Sequence, residues 1–366
     1  MQYIVTGVMS GTSLDGLDIA CCSFREAAGR WSYSVVCNKT LEYDSEWKRK
    51  LSMAHTLSGE ALASLNFEYG HFIGKSVRHF LDLSGITDNM LIASHGHTVF
   101  HMPDRGYTMQ IGHGAAIAAS GKCNTVCDFR SMDVALGGQG APLVPAGDLL
   151  LFSEYDLCLN LGGFANISIK ENIGRTAFDI CPFNFVINHL VRKQQIPSKG
   201  ADEKSFLDYD PDGMIGRKGN ADKNLLERLN NIDFYKRKGP KSLGREWATD
   251  AILPLVENSG SSLEAVLNTY YQHAAMQIAK TISQKGRTRK MLVTGGGAKN
   301  AYFMECLQEH LPESVSIVIP DSEIIDMKEA LIFAFLGLMC KLGRSNSLAS
   351  VTGAVRDSIG GSMHYA

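Results

Sequence analysis

The chain has 366 residues, enough for about two domains at roughly 150 residues each. Hydrophobic residues make up 45% and charged residues 20%, which excludes disorder of the whole chain. Lys plus Arg is 36 against 38 for Asp plus Glu, a formal net charge of −2, so no global basic field exists to hold nucleic acid or an anionic membrane.

The first stretch predicts three strands, Tyr3–Met9, Leu17–Phe24 and Ser32–Tyr43, from their β-branched and aromatic content. Gly7–Gly16 is too polar and glycine-rich for a strand interior and reads as a hairpin loop. Apolar Leu62, Leu65, Tyr69, Phe72, Ile73, Val77 and Phe80 fall at helical spacing over Gly59–Leu83, with Ser58 as N-cap and Gly85 as the stop. Met90–Ala93 and Thr125–Cys127 read as short buried strands, with a small helix at Ala115–Ser120. Gly137-Gly138-Gln139-Gly140-Ala141-Pro142 is a loop by composition and the best boundary between halves.

After it, Asp156–Leu161, Ala165–Lys170 and Arg175–Phe178 read as three strands, the first two parted by Gly162-Gly163. The layout of strand, glycine turn, strand and third strand therefore occurs twice. Pro197–Lys223 is poor in apolar residues and reads as a long surface loop. Helices follow at Arg245–Glu257 and Ser262–Ser283, then a strand at Met291–Thr294, a helix at Ala301–Glu309, a strand at Ser314–Ile319 and a last apolar helix at Met327–Leu342. Strands first clustered and then interleaved with helices, twice over, predict a duplicated α/β fold.

The nine cysteines contain no CxxC pair and form no disulfide framework; they read as small buried hydrophobes of a reducing compartment. Met1–Val5 has neither a basic nor a long apolar leader region, and the longest apolar run, Ala330–Cys340, is too short to span a bilayer. A cytoplasmic protein is expected. Glycine, at 36 residues, is in excess, and it concentrates in three loops.

In the first loop, Gly11, Thr12, Ser13, Leu14, Asp15, Gly16, Leu17 and Asp18 offer backbone N–H groups and hydroxyls to a polyanion. Asp15 and Asp18 could hold a hydrated Mg²⁺, which prefers one or two carboxylates beside phosphate oxygens. It is not a Walker A loop, because no Lys-Ser/Thr follows the glycines. A plain hairpin with capping hydroxyls would have the same composition. In the second loop, Asn160, Gly162 and Gly163 sit at the equivalent place of the repeat, where a glycine pair alone could be a bulge. In the third, Gly295, Gly296, Gly297 and Asn300 lie between a strand and a helix, open to a flat base or a phosphate. Together the three loops point to a nucleotide.

Val8-Met9-Ser10-Gly11-Thr12-Ser13-Leu14-Asp15-Gly16-Leu17-Asp18 resembles the opening signature of the anhydro-N-acetylmuramic acid kinase family. The resemblance continues through His95-Gly96, Gln110-Ile111-Gly112, Asp128-Phe129-Arg130, Gly137–Pro145, Leu159–Gly163, Phe178-Asp179, Pro240-Lys241-Ser242, Gly295-Gly296-Gly297 and Val351-Thr352-Gly353-Ala354, in order along nearly the whole chain. It implies the superfamily of sugar kinases, actin and ATPase chaperones: two related domains of the actin-like ATPase (ribonuclease H-like) fold around a central cleft. Residues 1–140, completed by a C-terminal helix, would form the first and 141–366 the second. The implied reaction takes ATP, water and 1,6-anhydro-N-acetylmuramic acid, opens the anhydro ring and phosphorylates the 6-oxygen, in cell-wall sugar recycling by a homodimer.

Such a reaction needs a carboxylate base to activate water. Asp179, expected to end a strand just before a helix, matches the family's catalytic Asp; an N-cap for a helix near Pro182 is the plain structural alternative. Glu329 matches a second carboxylate near the sugar, its alternative being an ordinary first-turn Glu. The resemblance further implies His95, His97, Arg130 and Asn184 as sugar-binding residues. The family's usual Thr-Gly-Pro-Gly-Asn is here Ile180-Cys181-Pro182-Phe183-Asn184, its usual Asp further along that helix is Asn188, and its usual Gln after His-Gly is His97. These departures predict a reshaped pocket beside Asp179 and raise another 1,6-anhydrosugar as an alternative substrate. Two further readings compete: a metal-dependent hydrolase using His95, His97 and His101, and a nucleotide-binding protein without catalysis. The basic clusters Lys236-Arg237-Lys238 and Arg287–Lys290 read as solvated surface.

Overall fold

The computed structural model describes residues 1–11, 14–172, 174–197, 206–237, 241–282 and 288–366. The chain divides into two compact units. The first comprises Met1–Ser153, Asn172–Arg175 and Met327–Ala366; the second comprises Glu154–Glu171 and Thr176–Asp326.

The first unit is built on β1 (Gln2–Ser10), β2 (Gly16–Ala27), β3 (Arg30–Glu42) and β4 (Leu91–Ser94), a small hairpin of β5 (His97–Met102) and β6 (Tyr107–Ile111), and β7 (Thr125–Cys127). β1, β2 and β3 form an antiparallel meander, while β4 runs parallel to β1 and β7 parallel to β4. The second unit is built on β8 (Leu157–Leu161), β9 (Phe164–Lys170), β10 (Arg175–Pro182), β11 (Arg289–Thr294) and β12 (Val315–Val318). Its order is β10-β9-β8-β11-β12, with β8, β11 and β12 parallel. The chain then returns to the first unit, where β13 (Ser362–His364) pairs antiparallel with β7 and completes the order β13-β7-β4-β1-β2-β3. Third, second, first, then the parallel strands: the same order occurs in both sheets. The duplicated α/β fold expected from the repeated strand layout is therefore present as topology.

The helix Gly59–Leu83 has the bounds its periodicity predicts, and Ser58 caps it by accepting from the Ala61 N–H at 3.3 Å. Its Leu65, Tyr69, Ile73 and Val77 join Leu17, Ile19 and Cys21 of β2 in one core. The second unit's core gathers β8 to β11 around the helix Leu263–Ile282.

Several expectations are corrected. The last apolar helix starts earlier, at Ser322, and its part from Met327 belongs to the first unit. Small residues explain that placement: a Cβ on Gly7 of β1 would collide with the backbone of Ala330 and Ala334, and one on Gly337 with Ala93 of β4. The loop Gly137–Pro142 is no boundary but is pinned inside the first unit. Buried Asp133 accepts from the Gly140 N–H at 2.8 Å, from Ser347 Oγ at 2.8 Å and from Thr352 Oγ1 at 2.7 Å. The expected surface loop 197–223 lies partly outside the described residues. Its described portion folds onto the helix Leu263–Ile282: buried Asp210 accepts from the Ile215 and Gly216 N–H groups at 2.8 and 3.0 Å and from the Tyr271 hydroxyl at 3.0 Å. The β5–β6 hairpin and β13, too short or too polar to announce themselves, were not expected.

Candidate functional site

The first unit presents a polar cluster fed by four separate segments. Arg130 donates from Nε and Nη2 to His95 Nε2, at 3.0 and 2.9 Å, and from Nη1 to the Gly140 carbonyl at 2.6 Å. His95 donates from Nδ1 to the Gly96 carbonyl at 2.9 Å. Burial, reinforced by Arg130, holds the His95 ring far below its usual titration range, so it is neutral. Burial also lowers Arg130 to about 10, with Glu329 and Asp133 opposing. Glu329 is pushed above the ordinary carboxyl range by burial and by the charge of Asp18, while Lys328 and Arg130 pull it back. Lys328 is itself paired with buried Asp148 at 2.8 Å.

Glu329 is therefore not a first-turn residue: it lies two turns into the helix Ser322–Lys341, facing Asp18 and Arg130. Asp18, on β2, accepts from Thr40 Oγ1 of β3 at 2.6 Å. His97 begins β5, with Nδ1 3.4 Å from Ser10 Oγ; Tyr43 donates to that same Ser10 hydroxyl at 2.9 Å and its own hydroxyl lies 2.6 Å from that of Tyr69. Burial lowers His97 to about 4.

The first glycine loop is only partly visible, because Thr12 and Ser13 lie outside the described residues. Leu14 adopts a positive φ of 62°, with its N–H 3.4 Å from the Gly11 carbonyl. Asp15 is exposed. Two members of the expected loop have structural explanations instead. Leu17 points its side chain wholly into the core, and Gly16 is small because a Cβ there would sit 2.5 Å from the Leu41 carbonyl oxygen.

The second unit gathers the other two loops around Leu161. Gly295 has a φ of +81°, open to glycine, and a Cβ there would lie 2.6 Å from Asn160 Oδ1. Gly297 is pressed against Phe183 and Leu161. By contrast, Gly296 is exposed, with only Asn184 Nδ2 near a would-be Cβ, at 3.7 Å, and a Cβ on Gly163 would meet nothing within 4 Å. The carbonyl of Gly162 accepts from the Asn184 N–H at 3.1 Å, and that of Gly163 from Phe183 and Phe185 at 2.8 and 3.1 Å. These bonds satisfy N–H groups that open the helix Asn184–Lys193. Asn184, expected on the sugar, lies beside the two glycine loops, with Nδ2 donating to the Leu161 carbonyl at 3.2 Å. Asn300 acts as a helix cap: Oδ1 accepts from the Phe303 N–H at 2.9 Å and Nδ2 donates to the Tyr271 hydroxyl at 3.0 Å.

Asp179 also differs from expectation in placement. β10 runs on to Pro182, so Asp179 lies inside the strand, and the N-cap position of the helix after it is Phe183, not Asp179. Its N–H donates to the Lys241 carbonyl at 2.9 Å and its Oδ2 accepts from the Leu243 N–H at 2.8 Å. Burial raises its carboxyl to about 6, the Leu243 hydrogen bond restraining the rise. The neighbours expected to reshape a pocket do not line one: Cys181 and Phe183 are fully buried in the core, Phe183 with its ring centroid 4.4 Å from that of Phe303.

The metal-hydrolase alternative fails on geometry. The Nε2 of His95 is occupied by a guanidinium, and among the described residues no three His, Cys, Asp or Glu side chains converge as a metal cage. No described helix is long and apolar enough to cross a membrane. Tyr43, Asp133 and Lys328 were missed by sequence reasoning, since nothing in their local composition marks them; Ser10 and Lys241 stood in matched motifs with no role attached.

The profile of the family described as anhydro-N-acetylmuramic acid kinase matches residues 1–366. The anhydro-N-acetylmuramic acid kinase of Aliivibrio fischeri is 34% identical over 97% of this chain and 96% of its own length. That of Pseudomonas savastanoi pv. phaseolicola is 32% identical over the full length of both. Among solved structures, a ROK family glucokinase from Streptomyces griseus, in complex with glucose and AMPPNP, covers 92% of this chain and 99% of its own at 11% identity and a TM-score of 0.41. The chain belongs to the anhydro-N-acetylmuramic acid kinase family and is a phosphotransferase.

Proposed function

We propose that the protein uses ATP and water to open the anhydro ring of 1,6-anhydro-N-acetylmuramic acid and to phosphorylate its 6-oxygen, giving N-acetylmuramic acid 6-phosphate. Asp179 is the general base. The observation that carries this reading is its carboxylate, buried enough to be raised to about 6 yet oriented by the Leu243 N–H. A base of that strength is ionised at neutral pH and more basic than an exposed Asp. It takes a proton from water as the water attacks the anomeric carbon; the bond from that carbon to the bridge oxygen breaks, and the freed 6-oxygen is the phosphoryl acceptor. Glu329, which feels the charges of Arg130 and Asp18, serves the same reaction, with His95 and His97 binding the sugar.

Gly163 and Gly296, whose faces are open, suit the close approach of a phosphate or base, with Asn160 and Asn184 at their edges. Asp18 and Glu329 repel each other, an arrangement that a divalent cation would relieve, so Asp18 would hold Mg²⁺. When bound, Mg²⁺ supplies neutralisation of phosphate charge. Because Cys181 and Phe183 are core residues, their difference from the family pattern argues for the family's own substrate over a different anhydrosugar. A cytoplasmic homodimer in cell-wall sugar recycling completes the reading.

The test is ADP release with ATP and a panel of 1,6-anhydrosugars in ¹⁸O-labelled water. Release dependent on 1,6-anhydro-N-acetylmuramic acid, with one label at the anomeric hydroxyl, is expected. Ring opening without ATP, or no sugar-dependent ADP release, overturns the proposal.

A further inference from the structure

The strap that follows residue 240 does two things at once. Its backbone grips Asp179 on both sides, through the Lys241 carbonyl at 2.9 Å and the Leu243 N–H at 2.8 Å. Its Lys241 side chain reaches the other way. There Nζ donates to the Phe234 carbonyl at 3.2 Å and the Arg237 carbonyl at 3.4 Å, and sits 4.3 Å from the centroid of the Phe234 ring. Phe234 is in turn fixed in the core, with its ring centroid 4.9 Å from that of Trp247.

An ammonium bonded to two carbonyls and over an aromatic face is held in place, not waving in solvent. Lys241 thus ties its own backbone to the carbonyls of Phe234 and Arg237, and the Leu243 N–H two residues on is aimed at the carboxylate of Asp179. We propose that Lys241 is a positioning residue for Asp179, acting through the backbone of residues 241–243 and not through its charge. This rests on the reading of Asp179 as the base. The charges around Asp179 agree with a backbone route. Cys181, two residues along the same strand, feels the charges of both Asp179 and Lys241; Tyr235 faces Cys181, and Lys280 and Arg237 face Lys241, but the shift of Asp179 has burial and the Leu243 bond as its causes.

Lys241→Met removes the anchor and keeps the bulk. Its expected effect is a fall in kcat of about tenfold to a hundredfold, as for a misplaced catalytic group, with KM for ATP unchanged. The acid limb of the pH profile moves up by about one unit, the size expected when a carboxylate loses one hydrogen bond. Carbon NMR titration of the Asp179 carboxyl reports the same shift without turnover. Lys241→Arg, which can still reach two carbonyls, restores most of both. If Lys241→Met folds and both the limb and the NMR titration stay where they are, the positioning role is wrong. If that variant fails to fold, Lys241→Arg decides: an unshifted titration with near-normal kcat supports the role, and loss of activity without any shift overturns it. Asp179→Asn in parallel separates the two ideas, because retained turnover there removes the base itself, while lost turnover there with an indifferent Lys241→Met removes only the strap.

Discussion

Arg130 places two guanidinium N–H groups on one nitrogen of His95, at 3.0 and 2.9 Å, and a third on the carbonyl of Gly140. The fork fixes the tautomer of His95, since Nε2 can only accept and Nδ1 must then donate to Gly96. It also ties the imidazole to the Gly137–Gly140 loop, which Asp133 pins from beneath. A lysine carries the same charge but replaces the planar fork with one compact ammonium, which does not reproduce Nε and Nη2 on the ring nitrogen together with Nη1 on the carbonyl. Arg130→Lys is therefore expected to lower kcat/KM for the anhydrosugar by about tenfold to a hundredfold, with nucleotide affinity unchanged. Steady-state kinetics beside calorimetric nucleotide binding check this; an equal loss of nucleotide affinity would contradict it.

Two glycines of the second unit make opposite predictions. A methyl on Gly163 meets nothing within 4 Å, whereas one on Gly297 runs into Phe183 and Leu161. Gly297→Ala is expected to destabilise the fold by about 1–3 kcal/mol, the usual cost of overpacking. Gly163→Ala should leave the melting temperature in place and weaken ATP binding, because its methyl occupies the face that the nucleotide is proposed to approach. Melting curves and nucleotide titrations of the two variants separate these outcomes, and a Gly163→Ala protein with normal ATP affinity removes that loop from the nucleotide site.

Local pattern was enough for the long helix Gly59–Leu83 and the meander β1 to β3, because an amphipathic period and β-branched runs are written in neighbouring residues. The repeated strand order was visible for the same reason. What was hidden is what distant segments do to each other. Glu329 read as a helix start because the polar residues before Met327 masked the turns from Ser322 onward. Asp179 read as a strand end because Ile180-Cys181-Pro182 is apolar and holds a proline, yet β10 carries through it. Asn184 matched a sugar-binding position, and its bond to the Leu161 carbonyl could not be read from the sequence. The grip of residues 241–243 on Asp179 joins positions more than sixty apart in the chain, and no local composition announces such a bond.

Asp179→Asn sets activity against stability. As base, Asp179 is worth about a hundredfold to ten-thousandfold in rate, so sugar-dependent ADP release should fall by that factor while ATP still binds. The same burial that tunes the carboxylate costs the fold. An Asp raised to about 6 in the folded state titrates near 3.9 when unfolded, so between those values the folded protein holds more protons. Stability from this group is present below pH 4 and lost as pH rises through 6. At pH 8 the buried carboxylate then costs about 3 kcal/mol. Asparagine removes the charge and its Oδ1 still accepts from the Leu243 N–H. The variant should therefore melt a few degrees higher than the wild type at pH 8, with the gap closing near pH 4–5. Thermal unfolding of both proteins across that range is the measurement; a variant that melts lower at pH 8, or a gap that widens toward acid, would mean that the carboxylate is stabilised where it lies and is not poised as a base.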